Sequence, residues 1–212
     1  MMIKRLVPAL MALLACGCSL ADPATPDPRT RAHGEDKFDR DSRAEYTVYG
    51  VMEHWAVERG ALTGFGPAHH EVLIRTGPAF ADGWVETSTK QADDGGLVLR
   101  FADNGNYYLL GFRDDDAPEP RGERNLQIYR NVNGTFMEVA TADVVWPRGT
   151  QHTVRFEAQG PVLRAYLDGR LQASWTDLSP PLPAGGFGVR HYGADDAWTT
   201  RFDLFRWREV PR

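Results

Sequence analysis

The chain has 212 residues, a formal charge of −5 at pH 7, and 42% hydrophobic and 11% aromatic residues. That length is enough for one domain with a substantial core, or for one domain with a tail. The acidic balance argues against nucleic acid as a partner, because phosphate backbones are held by clustered Lys and Arg, which this sequence lacks. The 21 glycines and 14 prolines, together with the many aromatic residues, favour β structure over long helices.

Residues 1–15 have the organisation of a bacterial signal peptide. Lys4 and Arg5 supply the positive start, and Leu6 to Ala15 form an apolar run. This run is shorter than the roughly 20 residues that a membrane-spanning helix needs, so it fits a secretory signal.

The segment Leu13-Leu14-Ala15-Cys16 resembles the bacterial lipobox. The resemblance implies that Cys16 is the lipid attachment site, with cleavage before it; Cys18 is the alternative acceptor, and a plain secretory signal is the other interpretation. Two acyl chains on one cysteine would anchor the protein stably to a membrane. Since Gly17 is not the Asp expected for inner-membrane retention in enteric-type bacteria, we expect a cell-envelope location at the outer membrane, facing the periplasm or the surface.

Replacing both Cys16 and Cys18 with serine is expected to release the protein from membranes, because the double variant has no acylation site. Fractionation of cells that express the double variant or the unaltered protein measures this release. The two single variants distinguish the acceptors, and membrane retention of the double variant would contradict the lipoprotein interpretation.

Residues 16–36 are expected to form the acylated cysteine and a disordered tether, and residues 37–212 a folded domain. Ser19 to Asp36 is rich in Pro, Asp, Arg and Thr and has almost no large apolar side chains, so this segment cannot bury enough surface to offset the cost of ordering it. Cys16 and Cys18 are the only cysteines, so we expect no disulfide bond in the domain.

From Lys37 onward, short β-type runs alternate with turns, and no segment shows the period of an amphipathic helix. Two hairpins are the clearest evidence, one turning at Asn133-Gly134 and the other at Asp168-Gly169. These dipeptides tolerate the positive φ angles of type I′ turns, whose twist matches that of paired strands. About a dozen strands at regular spacing predict an all-β fold, a two-sheet antiparallel sandwich with jelly-roll connections.

Five groups of residues spread over most of the mature chain carry a family resemblance: Phe38-Asp39-Arg40 with Trp55 to Leu62, Gly95 to Phe101 with Asn106-Tyr107-Tyr108, Gly160 to Gly169, Gly186 to Val189, and Phe202 to Phe205. In this order they resemble the motifs of the concanavalin A-like lectin/glucanase superfamily. The resemblance is closest to its laminin-G-like branch, which includes bacterial 3-keto-disaccharide hydrolase-type domains. It implies a concanavalin A-like jelly roll, a fold that hosts lectins, hydrolases, lyases and adhesive modules.

The catalytic motif of the laminarinase-type members is missing. Those hydrolases carry Glu-x-Asp-x-x-Glu on one strand, and no such string occurs in this chain. Glu86 is a lone carboxylate in the strand that looks nearest to it. The sequence also has no Gly-x-Ser-x-Gly elbow, no phosphate loop and no cysteine cluster for zinc, so we predict no catalytic residue.

The resemblance implies that glycans meet the concave face of the sandwich. If Leu97, Leu99 and Phe101 face the core, period-two alternation turns Arg100 outward, and the same argument applies to the next two strands. Aromatic rings stack on the apolar faces of sugars and polar groups bond their hydroxyls, although an ordinary wet sheet face is the alternative. The predicted ligand-binding residues are Glu86, Arg100, Tyr107, Gln127, Tyr129 and His191.

A structural calcium ion is the one cofactor that the resemblance implies. Asp203 matches the last-strand carboxylate of members that bind calcium, with Asp39 as a second oxygen ligand, although Asp203 also reads as a simple surface residue. His69-His70-Glu71 is not predicted to hold a metal, because adjacent residues on a strand point to opposite faces. Asp114 to Asp116 lacks the spacing of a calcium loop.

Three functions remain open from the sequence. The first is a non-catalytic module that binds a carbohydrate or a cell-envelope glycan. The second is a glycoside or keto-glycoside hydrolase acting on a small sugar substrate. The third is a structural lipoprotein with a protein partner, whose exposed aromatic residues form an interface.

Overall fold

The computed structural model describes residues 32–117 and 125–211. The predicted signal peptide, Cys16 and most of the predicted tether lie outside the described residues. Within the described ranges, no helix has both the length and the apolar character needed to cross a bilayer.

Alternating apolar and polar residues, broken by turns, give sixteen β-strands in the described part of the chain. Two single turns of 3-10 helix, Arg43–Glu45 and Met52–His54, separate the first strands. The strands are β1 His33–Asp36, β2 Tyr46–Tyr49, β3 Trp55–Glu58, β4 Ala61–Phe65, β5 Glu71–Arg75, β6 Gly83–Thr89, β7 Gly95–Asp103, β8 Asn106–Phe112, β9 Leu126–Val132, β10 Thr135–Ala142, β11 His152–Gln159, β12 Val162–Leu167, β13 Arg170–Thr176, β14 Gly186–His191, β15 Thr199–Phe202 and β16 Leu204–Glu209.

The described strands form two large antiparallel sheets and one small one. The six-stranded sheet has the order β1-β16-β6-β11-β12-β13, and the seven-stranded sheet has the order β10-β9-β8-β7-β14-β5-β2. A three-stranded sheet, β15-β4-β3, accompanies them. β1 pairs with β16 along its whole length, so the structure places His33–Asp36, which the composition assigns to the tether, in an edge strand.

The core lies between the two large sheets. Val85 and Phe156 of the six-stranded sheet and Leu97 and Leu110 of the seven-stranded sheet belong to one buried cluster. Burial of this cluster is the main force that holds the sheets together. This two-sheet antiparallel sandwich confirms the predicted fold class.

Both predicted hairpins are present. Asn133 and Gly134 have φ angles of 53° and 77° between β9 and β10, and Asp168 and Gly169 have φ angles of 49° and 75° between β12 and β13. Positive φ at both central residues is the geometry of a type I′ turn, which the two dipeptides predicted.

The strict alternation predicted for β7 is wrong after Leu99. Arg100 has a φ angle of 52°, and the pairing of β7 with β8 shifts between Leu99 and Asp103. Such a bulge adds one residue, so every later side chain changes face. Leu97 and Leu99 pack in the core as predicted, but Phe101 lies in a second cluster on the opposite face of the sheet.

A candidate ligand-binding pocket on the seven-stranded sheet

The outer face of the seven-stranded sheet, the face turned away from the core, carries an apolar cluster of its own. Its buried members are Val72, Ile74, Val98, Phe101, Tyr107 and Leu109, and Tyr49, Tyr129 and Phe136 pack against them. A sheet face that meets only water is normally lined by polar residues. Because the six buried members are at most 7% exposed, the cluster is a second small core, and the half-buried rings at its edge, Tyr49, Tyr129 and Phe136, are the candidate binding surface.

Two glycines create a depression in this face. Gly111 and Gly96 are paired across β8 and β7, with Gln127 on one side of them and Arg190 on the other. The Leu109 side chain covers Gly96, because a Cβ atom there would lie 2.5 Å from Leu109 Cδ1, so Leu109 and Gly111 form the floor. Above this floor lies a cavity of about 230 Å³, which we call the outer-face pocket; it is lined by His70, Asp94, Leu109, Gly111, Arg113, Gln127, Tyr129, Phe136 and Arg190.

Aromatic rings meet across the pocket. The Phe136 ring from β10 stacks on the His70 ring, just before β5, with a centroid distance of 4.8 Å and an interplanar angle of 21°. Five strand spacings of about 4.8 Å separate β10 from β5 within the sheet, roughly 24 Å if the sheet were flat. His70 precedes β5 and is not part of the sheet, so the segment before β5 reaches over the outer face to bring the two rings together. Tyr129 stands edge-on to Phe136 at 6.1 Å.

The other side of the pocket is charged and buried. Asp94 Oδ2 accepts a hydrogen bond of 3.1 Å from Arg113 Nη2, and its Oδ1 accepts one from Arg190 Nη1. Arg190 Nη2 lies 3.0 Å from His70 Nδ1, and the guanidinium of Arg190 lies over the Tyr192 ring at 5.2 Å. Because the charge-assisted bonds hold both guanidinium groups in place, this wall is preorganised.

The phenol of Tyr129 lies among the charged groups of the pocket. Burial raises its pKa, Glu138 and Asp94 raise it further, and Arg113 and Arg190 act in the opposite direction. The hydroxyl therefore stays protonated at neutral pH and can both donate and accept a hydrogen bond. Beside it, Gln127 Nε2 donates a bond of 2.9 Å to Glu138 Oε2.

Three of the predicted ligand-binding residues lie on this outer face. Gln127 and Tyr129 line the pocket, where alternation along β9 placed them. Tyr107 also faces outward but is only 1% exposed, between Phe101 at 5.4 Å and Phe136 at 5.8 Å. Tyr107 therefore supports the aromatic wall from below.

Glu86 lies on the other large sheet. On the outer face of the six-stranded sheet it stands between Arg155 of β11 and Arg206 of β16, which are its register partners. Arg155 donates bonds of 2.9 and 2.7 Å to Glu86 Oε2, and Arg206 in turn reaches Glu35 of β1 at 3.3 Å. Glu86 thus belongs to a cross-strand ladder of alternating charges, because the strand order assigns β6 to this sheet.

Arg100 does not reach the outer face, because the bulge at its own position turns it away. It is 3% exposed and packs over the ring of Tyr108 at 5.7 Å. Its guanidinium donates to the carbonyl oxygens of Ala81, Gly160 and Leu182 and contacts Asp82 Oδ1 at 3.3 Å. The structure thus gives Arg100 the contacts of a buried structural residue.

His191 is fully buried on the core side of β14. Its ring lies edge-on to Trp55 at 6.2 Å, and its Nδ1 lies 3.3 Å from Thr200 Oγ1. Alternation places its neighbour Arg190, and not His191, on the outer face. Burial, together with the charge of Arg190, lowers the pKa of His191 to about 4.

Acidification from pH 7 to pH 5 is expected to cost on the order of 2 kcal/mol of folding free energy through His191 alone. Its pKa is about 4 when folded, against an ordinary value of 6.5, so the unfolded state takes up a proton first. The stability is complete above about pH 6.5 and is lost as the pH falls toward 4. Urea titrations at both pH values measure this loss. His191→Gln should flatten the difference; an equal difference in the variant would contradict the assignment.

The two predicted calcium ligands have different surroundings. Asp203 accepts a bond of 2.6 Å from Arg201 Nε and is also within 3.4 Å of Gln151 Nε2. Asp39 is exposed and lines a shallow acidic and basic surface at the end of β1. No cluster of three or more His, Cys, Asp or Glu side chains suited to a metal occurs in residues 32–117 and 125–211. Calcium binding stays a prediction.

If calcium binds at Asp203, adding it should raise the melting temperature and a chelator should lower it, because a ligand of the folded state alone stabilises that state. Asp203→Asn should abolish the difference while Asp195→Asn, an exposed loop control, should keep it. Equal melting temperatures of the unaltered protein in calcium and in chelator would contradict the predicted calcium site.

Most charged and aromatic lining residues were not among the predicted ligand-binding residues. They are His70, Asp94, Arg113, Phe136 and Arg190. Alternation in Gly186–His191 could have placed Arg190 opposite the core residue Val189. The meeting of Asp94 with Arg190 joins residues 96 positions apart, and no local pattern carries that information.

No protein-family model matches the chain, and no curated protein is detectably similar to it in sequence. Solved structures do match. A carbohydrate-binding module from Bacillus subtilis has 18% identity and a TM-score of 0.57, covering 78% of this chain and 93% of its own. A protein of unknown function with a galectin-like fold, also from Bacillus subtilis, has 14% identity and a TM-score of 0.66, covering 86% and 100%.

A Bacillus licheniformis β-glucanase has 11% identity and a TM-score of 0.62, covering 84% of this chain and 98% of its own. At these identities the likeness establishes the fold. The chain has the concanavalin A-like jelly-roll fold that the sequence predicted.

Proposed function

We propose that this protein is a non-catalytic glycan-binding lipoprotein of the bacterial cell envelope, and that the outer-face pocket holds the sugar. The observation that carries the proposal is the pocket itself. Its aromatic wall of Tyr129, Phe136 and His70 faces the charged groups of Arg190 and Asp94 over a floor of Gly111 and Leu109. The likeness to a carbohydrate-binding module and a β-glucanase supports a glycan as the ligand.

This combination of groups suits a sugar. The apolar face of a pyranose or furanose ring packs against aromatic carbon, and its hydroxyls need donors and acceptors at fixed positions. The Tyr129 hydroxyl, the Gln127 amide and the Arg190 guanidinium supply such groups on a rigid sheet. Because the strands hold these side chains, binding orders few of them further.

A larger groove exists on the six-stranded sheet, but it supports binding less well. It has a volume of about 430 Å³ and is lined by His33, Gly34, Glu35, Trp84, Arg206, Trp207 and Arg208. Arg206 is paired with Glu35, and the Trp84 ring is covered by the guanidinium of Arg155 at 4.3 Å. The charged and aromatic side chains of this groove already interact with one another on an open surface, so a ligand would gain little binding free energy there.

The carboxylates in and beside the pocket, Asp94 and Glu138, have contacts that support glycan binding without hydrolysis. A glycosidase needs two carboxyl groups that flank the scissile bond, one of them able to give a proton. Both oxygens of Asp94 are engaged by arginine, and Glu138 accepts from Gln127. Asp94 thus serves as a counter-ion that positions the guanidinium groups.

The test is a glycan array probed with the purified full chain, followed by calorimetry on each hit. Specific saturable binding that is lost in Tyr129→Ala supports the proposal. Release of reducing ends from a bound glycan, abolished by Glu138→Gln, would overturn the non-catalytic part. If the correctly folded protein binds no glycan on the array, the proposal that the ligand is a glycan is overturned, and a protein partner for this face is favoured.

A further inference from the structure

Arg190 is a buried cation with unused hydrogen-bonding capacity. It is 4% exposed, lines the outer-face pocket, and has five N–H donors. Nη1 donates to Asp94 and Nη2 contacts His70 Nδ1 at 3.0 Å. Nε has no hydrogen-bond partner among the described residues but is enclosed by protein, so a ligand could bond only the remaining N–H groups of Nη1 and Nη2. A buried guanidinium with donors left over is costly unless an acceptor fills the space beside it.

Two guanidinium groups bond the same carboxylate at this wall. Among the lining residues, the two guanidinium groups of Arg113 and Arg190 face the single carboxylate of Asp94. Each carboxylate oxygen of Asp94 accepts a hydrogen bond from one of the two arginines. These bonds hold both planar guanidinium groups at the same wall of the pocket. A ligand carboxylate placed at this wall would lie beside two guanidinium groups that are already held in position.

We propose that the outer-face pocket recognises a sugar that carries a carboxylate, a uronic acid residue of an acidic glycan, in preference to a neutral sugar. The inference rests on the glycan-binding function proposed above and specifies its ligand class. A carboxylate is planar and presents two oxygens, which match the fork of a guanidinium. The sugar ring lies against Tyr129 and Phe136, and its carboxylate points to Arg190.

The size of the cavity limits how much of the glycan enters. At about 230 Å³ it is smaller than the roughly 300–1,000 Å³ of pockets that enclose drug-sized ligands. It therefore takes one sugar residue, and the rest of the glycan lies outside the pocket.

The test compares matched ligands on the unaltered full-length protein, so it does not depend on any variant folding. The probes are oligosaccharides of galacturonic, glucuronic and mannuronic acid, the methyl ester of each, the corresponding neutral hexose oligosaccharides, and sulfated galactans. Affinities are measured by calorimetry at low and high salt. We expect at least one acid to bind roughly tenfold or more tightly than its ester, a difference that shrinks at high salt.

Variants then assign the effect to Arg190. Arg190→Gln removes the charge and should abolish the preference for the acid over its ester, while Arg190→Lys keeps the charge without the fork and should restore part of it. Arg164→Gln, the same change on the outer face of the six-stranded sheet where Arg164 pairs with Glu157 at 2.8 Å, is the control and should change nothing. Melting curves confirm that each variant is folded.

The outcomes separate this inference from the proposed function. Preference for acid over ester, lost in Arg190→Gln, supports both. Equal binding of acid, ester and neutral sugar would overturn the proposed preference for a carboxylate, and it would leave the glycan-binding function intact. Binding of sulfated galactans alone would replace the carboxylate by a sulfate ester. Failure of every saccharide to bind, on this panel and on the array, would overturn the proposed function and this inference with it.

Discussion

Replacing Tyr129 with alanine is expected to weaken glycan binding roughly tenfold or more, because truncating an aromatic anchor of a binding site costs about 1–2 kcal/mol or more. The side chain is half-buried in the pocket, stands edge-on to Phe136 at 6.1 Å, and places its hydroxyl among four charged groups. Calorimetry with the best glycan from the array measures the loss. The melting temperature should fall less than for a truncation in the main core, since Tyr129 packs only at the edge of the outer-face cluster.

Two further variants make this result specific. Tyr129→Phe keeps the ring and removes the hydroxyl, so it separates stacking from hydrogen bonding. Tyr166→Ala removes a similar half-buried tyrosine from the outer face of the six-stranded sheet and should leave affinity unchanged. Equal loss in Tyr129→Ala and Tyr166→Ala would show that the outer-face pocket is not the binding site.

Replacing Arg100 with methionine is expected to destabilise the fold by about 3–5 kcal/mol, the usual cost of removing one partner of a buried ion pair. The variant leaves Asp82, which is 4% exposed, without the guanidinium 3.3 Å away. It also removes the hydrogen bonds of 2.7 and 2.6 Å that Arg100 donates to the carbonyl oxygens of Ala81 and Gly160. For a domain of this size the melting temperature should fall by roughly 10 °C.

The matched control for Arg100→Met is Arg155→Met. Arg155 also pairs with a carboxylate, Glu86 at 2.7 Å, but its side chain is 38% exposed, and exposed pairs contribute about 1 kcal/mol or less. Urea unfolding of both variants tests the contrast. Equal costs of the two substitutions would contradict the stabilising role of Arg100. Weaker glycan binding by Arg100→Met at unchanged stability would place Arg100 in the binding site.

The elements that local chemistry dictates were predictable from the sequence. Asn133-Gly134 and Asp168-Gly169 adopt the positive φ angles that type I′ hairpins require, because few other dipeptides reach them without strain. Period-two alternation then placed Gln127 and Tyr129 on one side of β9 and Leu126 and Ile128 in the core. Side chains on a strand have no other geometry open to them unless a bulge intervenes.

Where a bulge did intervene, alternation misplaced the residues after it. Arg100 was expected on the glycan side, but its left-handed backbone turns it inward and carries Phe101 to the outer face. The sequence Leu-Val-Leu-Arg-Phe alternates perfectly through the bulge, so the pattern itself gives no sign of it. The contacts of Arg100 with Ala81, Gly160 and Leu182, all distant in sequence, satisfy its donors in this position.

The sequence by itself therefore determined the all-β class, the two type I′ hairpins and the outward face of β9, because these depend on φ preferences and on the period of a strand. Only the tertiary structure decided that Glu86 belongs to one sheet and Tyr129 to the other, and that Arg190, and not His191, enters the pocket. Strand order is a non-local choice. The pairing of Asp94 with Arg190 and the stacking of His70 on Phe136 join residues that are far apart in the chain, and no short stretch of residues encodes such contacts.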